Sequence, residues 1–208
     1  MPMRIDDARE YRNFSLRALE DTEDNMIVKG YASTFNEPYT LYSDEEYEVR
    51  EQVDPHAFDE ADMSDVIFQY NHEGRVFARN KNGSLSLSID EKGLAIEANL
   101  GETEIGRQLY GEIKGGYTDK MSFGFRILED IWEDTKDYET GKVTSLRTIK
   151  RIGKVYDVSA VSIPANDGTS ISVRALTDGV IERVKAERLK ALELQRARTL
   201  TLLRIGGM

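Results

Sequence analysis

The 208-residue chain contains no cysteine, which excludes disulfides, thiolate nucleophiles and thiolate zinc sites. Histidine occurs only twice, at His56 and His72, too few for a histidine-rich metal centre. No apolar run approaches the roughly 20 residues that a membrane-spanning helix needs. The first residues, Met1-Pro2-Met3-Arg4-Ile5-Asp6-Asp7, lack the apolar core of a secretory signal. The expectation is a cytoplasmic chain that needs neither membrane nor cofactor. Basic charge is also in deficit: the net charge of −10 argues against nucleic acid as a partner, because phosphates repel an acidic surface. The deficit is uneven. Residues 178–204 hold seven basic side chains against four acidic ones, so this segment is +3 and the remainder −13.

What the chain does contain is short alternating segments, the period-2 signature of half-buried strands. Phe14, Leu16 and Ala18 alternate with polar residues, and after the charged turn at 20–25 a second strand is expected from Met26 to Asn36. Further strands are expected at 46–53, 66–72, 84–89, 94–100, 120–132 and 143–163. Asp54-Pro55 offers an N-cap followed by proline at the first helical position, predicting a short helix to about Asp62. Ile105, Leu109 and Ile113 are spaced four apart, predicting a second helix over 103–114 that Gly115-Gly116 ends. The acidic stretch 133–141 reads as an exposed loop. From Thr177 to about Arg204 the period becomes helical, so a long basic C-terminal helix is expected. The body fits an antiparallel barrel or sandwich.

Three residues in these segments can do chemistry. In the strand at 120–128, Met121, Phe123, Phe125 and Ile127 share one face, while Ser122, Gly124 and Arg126 share the other. Ser122 therefore points away from the large hydrophobes, beside a glycine that admits an approaching backbone. Serines are common in strands, and the blander reading is a serine on a solvated face. His72 closes the 66–72 run at a turn, and imidazole is the side chain best suited to take a hydroxyl proton near neutral pH. It too reads as a surface residue without a role. Asp157 shares a predicted face with Val155, Ser159, Val161 and Ile163. A carboxylate buried there without a partner would cost several kcal/mol. A histidine N–H would satisfy it, and so would a lysine or arginine. Gly101-Glu102-Thr103-Glu104-Ile105-Gly106 lacks the lysine and spacing of a phosphate loop. The acidic runs Asp44-Glu45-Glu46 and Glu129-Asp130 lack calcium-loop spacing and read as solvated charge.

Taken in order, Gly30-Tyr31-Ala32-Ser33-Thr34-Phe35, Ala57-Phe58, Asn71-His72-Glu73, Gly93-Leu94, Met121-Ser122-Phe123-Gly124-Phe125 and Asp157-Val158-Ser159 leading to Pro164-Ala165 form a set. Over residues 26–175 the set resembles the prohead (capsid maturation) serine proteases of tailed bacteriophages, typified by phage HK97 and related in fold to the herpesvirus assemblins. The resemblance implies a mainly β, assemblin-like antiparallel barrel with peripheral helices over 1–175, followed by a basic C-terminal helical tail over 176–208. It implies a serine endopeptidase with Ser122, His72 and Asp157 as its catalytic residues. His56 stands where the family usually has glycine, which makes it incidental, and Asp157 stands where glutamate is more usual. The implied substrates are the scaffold protein or a scaffold-like segment of the major capsid protein, and the protease itself. The implied setting is the immature prohead within the host cytoplasm. The tail is then a targeting element, a homodimer contact or a removable segment. Two rivals remain: a non-enzymatic internal scaffold protein, and a small esterase. The first leaves the ordered motif set unexplained, and the second lacks its Gly-x-Ser-x-Gly elbow, with Lys120 two residues before Ser122.

Overall fold

Alternation of large apolar and small or polar side chains dominates the chain, and the fold is accordingly built of strands. The computed structural model describes residues 10–18, 26–101 and 103–162. In chain order these form β1 (Glu10–Ala18), β2 (Ile27–Thr34), β3 (Tyr39–Ser43), β4 (Tyr47–Val53), β5 (Ile67–Tyr70), β6 (Glu73–Arg79), β7 (Leu85–Ile89), β8 (Gly93–Asn99), α1 (Glu104–Lys114), β9 (Lys120–Lys136) and β10 (Val143–Val161). A single 3-10 turn covers Asn80–Asn82.

The strands make one sheet in the order β3-β4-β10-β9-β1-β2-β8-β7, with β5 on β10 and β6 on β5. β10 is its spine. Its first half runs parallel to β4 and its second half parallel to β5, while β9 lies antiparallel along its other side. A bridge between Phe35 and Val53, with Asn36 N–H donating to Val53 O at 3.0 Å, brings the end of β2 round to β4. The sheet therefore curls around its apolar face.

Register explains that face. Met121, Phe123, Phe125 and Ile127 of β9 oppose Ala160, Val158, Val155 and Ile152 of β10, and all eight are buried. A slip of one residue would turn the whole set outward, so burial pins the pairing. Phe58 sits between Phe35 and Phe123, with ring centroids at 6.1 and 6.2 Å, and Phe123 stacks on Phe125 at 4.3 Å. Each such ring, fully buried, contributes about 1.5–3 kcal/mol. At the other end of β9 and β10 the interior turns ionic. Arg12 donates to Glu51 and Glu10, and Arg147 donates to Glu10, Glu51 and Asp130, tying β1, β4, β9 and β10 together. Tyr39 of β3 adds its hydroxyl to Glu51.

The expected architecture is corrected on several points. The sheet is mixed rather than antiparallel, because β10 pairs in parallel with both β4 and β5. Among the described residues α1 is the one α-helix, so neither a set of peripheral helices nor a long C-terminal helix is shown; the stretch 177–204 lies outside the described residues. The helix expected from Asp54 to Asp62 is a chain of turns closed by three-residue bonds: Ala57 N to Asp54 O, Asp59 N to His56 O and Ala61 N to Phe58 O. The Ala57 carbonyl accepts from Ile152 N at 2.8 Å instead of from its own helix, since Ala57 and Phe58 are drawn into the core. The acidic stretch expected as a loop from Glu133 continues β9 to Lys136. β3 and β6 were not anticipated. Finally, Tyr156 is an extra residue between the pairs Val155/Phe125 and Asp157/Gly124. This bulge separates Val155 from the face that carries Asp157 and Ser159, where strict alternation had joined them.

Candidate active site

β9, β10 and the β5–β6 hairpin supply the site, and the bulge at Tyr156 sets it up. Beyond it, Asp157 and Ser159 share the face opposite Phe123, and across β9 they meet Gly124 and Ser122. Opposed residues in an antiparallel pair hold their Cβ atoms about 4.5–5.5 Å apart on the same side of the sheet. Ser122 and Ser159 are such a pair. On its other side Ser122 is paired through the backbone with Asn13 of β1.

His72 arrives on the β5–β6 hairpin. Its loop is two residues long, Asn71 and His72, with φ of 51° and 61°, the pattern of a type I′ turn. Asparagine suits the first of these positions. The second normally takes glycine, because a side chain in the left-handed region costs about 1–2 kcal/mol. A histidine held there is backbone strain at a candidate functional residue. The tip is clamped to the end of β10: Asn71 N donates to Ala160 O at 2.9 Å, and Asn71 Oδ1 accepts from Ser162 N at 3.0 Å. Parallel pairing of β5 with β10 and this clamp deliver the ring to Asp157.

The carboxylate is buried, its side chain 2% exposed, and His72 is 17% exposed. His72 Nδ1 hydrogen-bonds Asp157 Oδ1, and Ser159 Oγ donates to the same oxygen at 3.0 Å. Of the two partners the sequence left open for Asp157, the structure supplies the imidazole. With the Nδ1 proton facing Asp157, the lone pair of a neutral ring lies on Nε2. Ser122 is 1% exposed, so it does not lie on a solvated face. Its Oγ makes no hydrogen bond with any described residue, His72 included. The structure thus joins His72 to Asp157 directly and brings Ser122 to the same face of the sheet, one strand away.

His56 is elsewhere. It lies in the turns after β4, its side chain is 83% exposed, and its Nδ1 hydrogen-bonds the neighbouring Asp59 at 3.1 Å. Asp44 Oδ1 accepts from Glu46 N and Tyr47 N, ordering a turn. Among the described residues no group of three or more His, Cys, Asp or Glu could hold a metal ion, and no helix is long and apolar enough to cross a membrane. Two contributors were missed in the sequence. Ser159 carries the signal of sitting two residues after the acid on a strand, and Asn71 that of preceding the histidine in a tight turn.

The model of the caudovirus prohead serine protease family matches residues 12–184. The prohead protease of Escherichia phage T5 is 27% identical over 117 residues, which is 56% of this chain and 50% of that protein. The chain therefore spans about half the length of that relative. No solved structure matches it. The family match takes in the β5–β6 hairpin with His72, Ser122 on β9 and Asp157 on β10, and the chain belongs to the caudovirus prohead serine protease family.

Proposed function

We propose that this chain is the serine endopeptidase of a phage prohead, with Ser122 as nucleophile, His72 as general base and acid, and Asp157 as the group that orients the imidazole. One observation carries the reading: His72 Nδ1 is bonded to a buried Asp157 whose neighbour Ser159 directly opposes Ser122 across two strands. In this mechanism His72 Nε2 takes the Ser122 hydroxyl proton while Oγ bonds to the peptide carbonyl carbon. The tetrahedral intermediate collapses, the C–N bond breaks, and the proton passes from Nε2 to the leaving amine. Water, activated by the same ring, then hydrolyses the acyl ester and restores the hydroxyl. Asp157 stabilises the imidazolium in both halves. Catalytic hydrogen bonds commonly tighten only with substrate in place, and in this reading the bond from Ser122 Oγ to His72 Nε2 forms there.

The substrates that fit are the scaffold protein or the scaffold-like segment of the major capsid protein, cleaved inside the immature particle, together with the protease itself. The basic segment 178–204 supports this setting through its +3 charge, which suits it to acidic partners. The test is coexpression of wild-type and Ser122→Ala chains with the matching capsid and scaffold proteins, followed by mass spectrometry. Wild type is expected to cleave its targets and shorten itself; Ser122→Ala is expected to lose both by several orders of magnitude. Normal processing by folded Ser122→Ala protein would overturn the assignment.

A further inference from the structure

His72 is flanked by two residues that face a cleft. Tyr70, Asn71, Glu73, Gly74, Arg75 and Phe77 of the β5–β6 hairpin form one wall, and Ile105, Gln108, Leu109 and Glu112 of α1 form the other. Its volume is about 480 Å³, within the roughly 300–1,000 Å³ range of ligand pockets. The helix wall follows from spacing: Ile105 and Leu109 are four apart and so lie on one face of α1, as do Gln108 and Glu112. Leu109 is buried, while Phe77, Tyr70 and Ile105 are only half-buried and present apolar surface to the space between the walls. At the rim are Glu73, Glu112 and Arg75, all exposed, with no ion pair to another described residue. Charge of both signs around an apolar floor gives no consistent selection for a charged ligand, whereas the floor selects for apolar area.

Resting on the proposed peptidase reading, we infer that this cleft binds a large apolar side chain of the substrate peptide, within one or two residues of the bond that is cut. The hairpin tip supports that placement. Asn71 and Glu73, the residues on either side of His72, both line the cleft, so the cleft adjoins the turn that carries the imidazole. Burying an aromatic or leucine side chain between Phe77 and Ile105 favours it over alanine by the amount that apolar pockets usually give, at least tenfold in kcat/KM. Ile105 and Gln108 are then specificity determinants, and neither belongs to the catalytic machinery.

The experiment has a binding arm and a cleavage arm, both on the full chain. N-acetyl-phenylalaninamide and N-acetyl-alaninamide are titrated into isotope-labelled protein and followed by amide chemical shifts. The phenylalanine compound is expected to move the signals of Phe77, Ile105 and Leu109, and the alanine compound to leave them in place. Ile105→Trp fills the cleft and should abolish the response; Gln108→Trp, at an exposed helix position, does the same if the first variant folds poorly. Fluorogenic peptides differing only by phenylalanine or alanine beside the scissile bond should differ at least tenfold in kcat/KM, with the ratio falling towards one in either variant. Equal response to the two amides, or a phenylalanine response unchanged in both variants, overturns the inference. Fluorophosphonate labelling of Ser122 separates the two readings. An unlabelled serine with intact amide shifts sinks the nucleophile and not the cleft, while a labelled serine without discrimination sinks the cleft and not the nucleophile.

Discussion

Ser122 and Ser159 oppose each other across β9 and β10, yet only Ser159 commits its hydroxyl to Asp157, at 3.0 Å. The two buried serines therefore have different chemistry: one hydroxyl makes no hydrogen bond with a described residue, and the other holds the carboxylate that holds the imidazole.

Ser159 is accordingly a positioning residue in the proposed mechanism. Ser159→Ala removes one hydrogen bond to a charged group, worth about 1.5–3 kcal/mol. Peptide cleavage is expected to fall roughly tenfold or more, in kcat rather than KM. Fluorophosphonate should still modify Ser122, and Ser159→Thr should restore most of the rate. Loss of labelling in a folded Ser159→Ala protein would move the nucleophile to Ser159.

The turn at His72 allows a clean measurement of backbone strain. His72→Ala and His72→Gly both remove the imidazole and both should be inactive. They differ in the cost of a positive φ of 61°. The glycine variant is expected to be more stable than the alanine variant by about 1 kcal/mol, read from urea denaturation. Equal stability would show that the left-handed turn is absent in solution.

Gly93 opens β8 against β2 so closely that an added Cβ would lie 1.9 Å from Ser33 O, a backbone atom. Neither strand can give way without breaking the irregular pairing between Tyr31 and Ser33. Gly93→Ala should therefore cost more than about 2 kcal/mol, at the upper end of single substitutions, and lower the melting temperature by several degrees. A neutral effect would mean that β2 and β8 separate more easily than their pairing indicates.

Acid should weaken the ionic end of the interior. Burial alone would raise the Glu10 pKa, but the guanidinium groups of Arg12 and Arg147 overcome it and hold the carboxyl at about 2, against 4.5 when unfolded. A depressed folded-state pKa means stabilisation that is complete above pH 4.5 and is lost as pH falls from there to about 2. The loss is on the order of 3 kcal/mol. Urea denaturation across this window should show the decline in wild type and a flatter dependence in Glu10→Gln. Asp54 and Asp65 also sit below their ordinary values, but their ion pairs are partly solvated and contribute less. Equal slopes in both proteins would refute the assignment to Glu10.

Local pattern accounts for much of what was legible in the chain. The alternation of Met121, Phe123, Phe125 and Ile127 marks a strand with a buried face, and the four-residue spacing of Ile105, Leu109 and Ile113 marks α1. β3 and β6 escaped notice because they are edge strands: Tyr39–Ser43 has no buried residue, and in Glu73–Arg79 only Ala78 is buried, so neither carries a burial pattern. The Asp54–Asp62 turns escaped because an N-cap and a proline favour a helix start but do not outweigh Ile152, which takes the Ala57 carbonyl. The buried network of Arg12, Arg147, Glu10 and Glu51 was invisible for a related reason: isolated charges in a sequence look solvated until strands from distant segments enclose them.

By itself the sequence determined which chemistry was available: a hydroxyl, an imidazole and an acid in strand-forming segments, no thiol, and a net charge of −10. Side-chain periodicity is a local property, so it could also orient Ser122 away from the phenylalanines. Only the tertiary structure decided that Asp157 meets His72, 85 residues away. That contact depends on an extra residue at Tyr156, which shifts the face of β10, and on β5 choosing a parallel partner. Both are settled by how competing strands share backbone hydrogen bonds, a choice made between segments far apart along the chain.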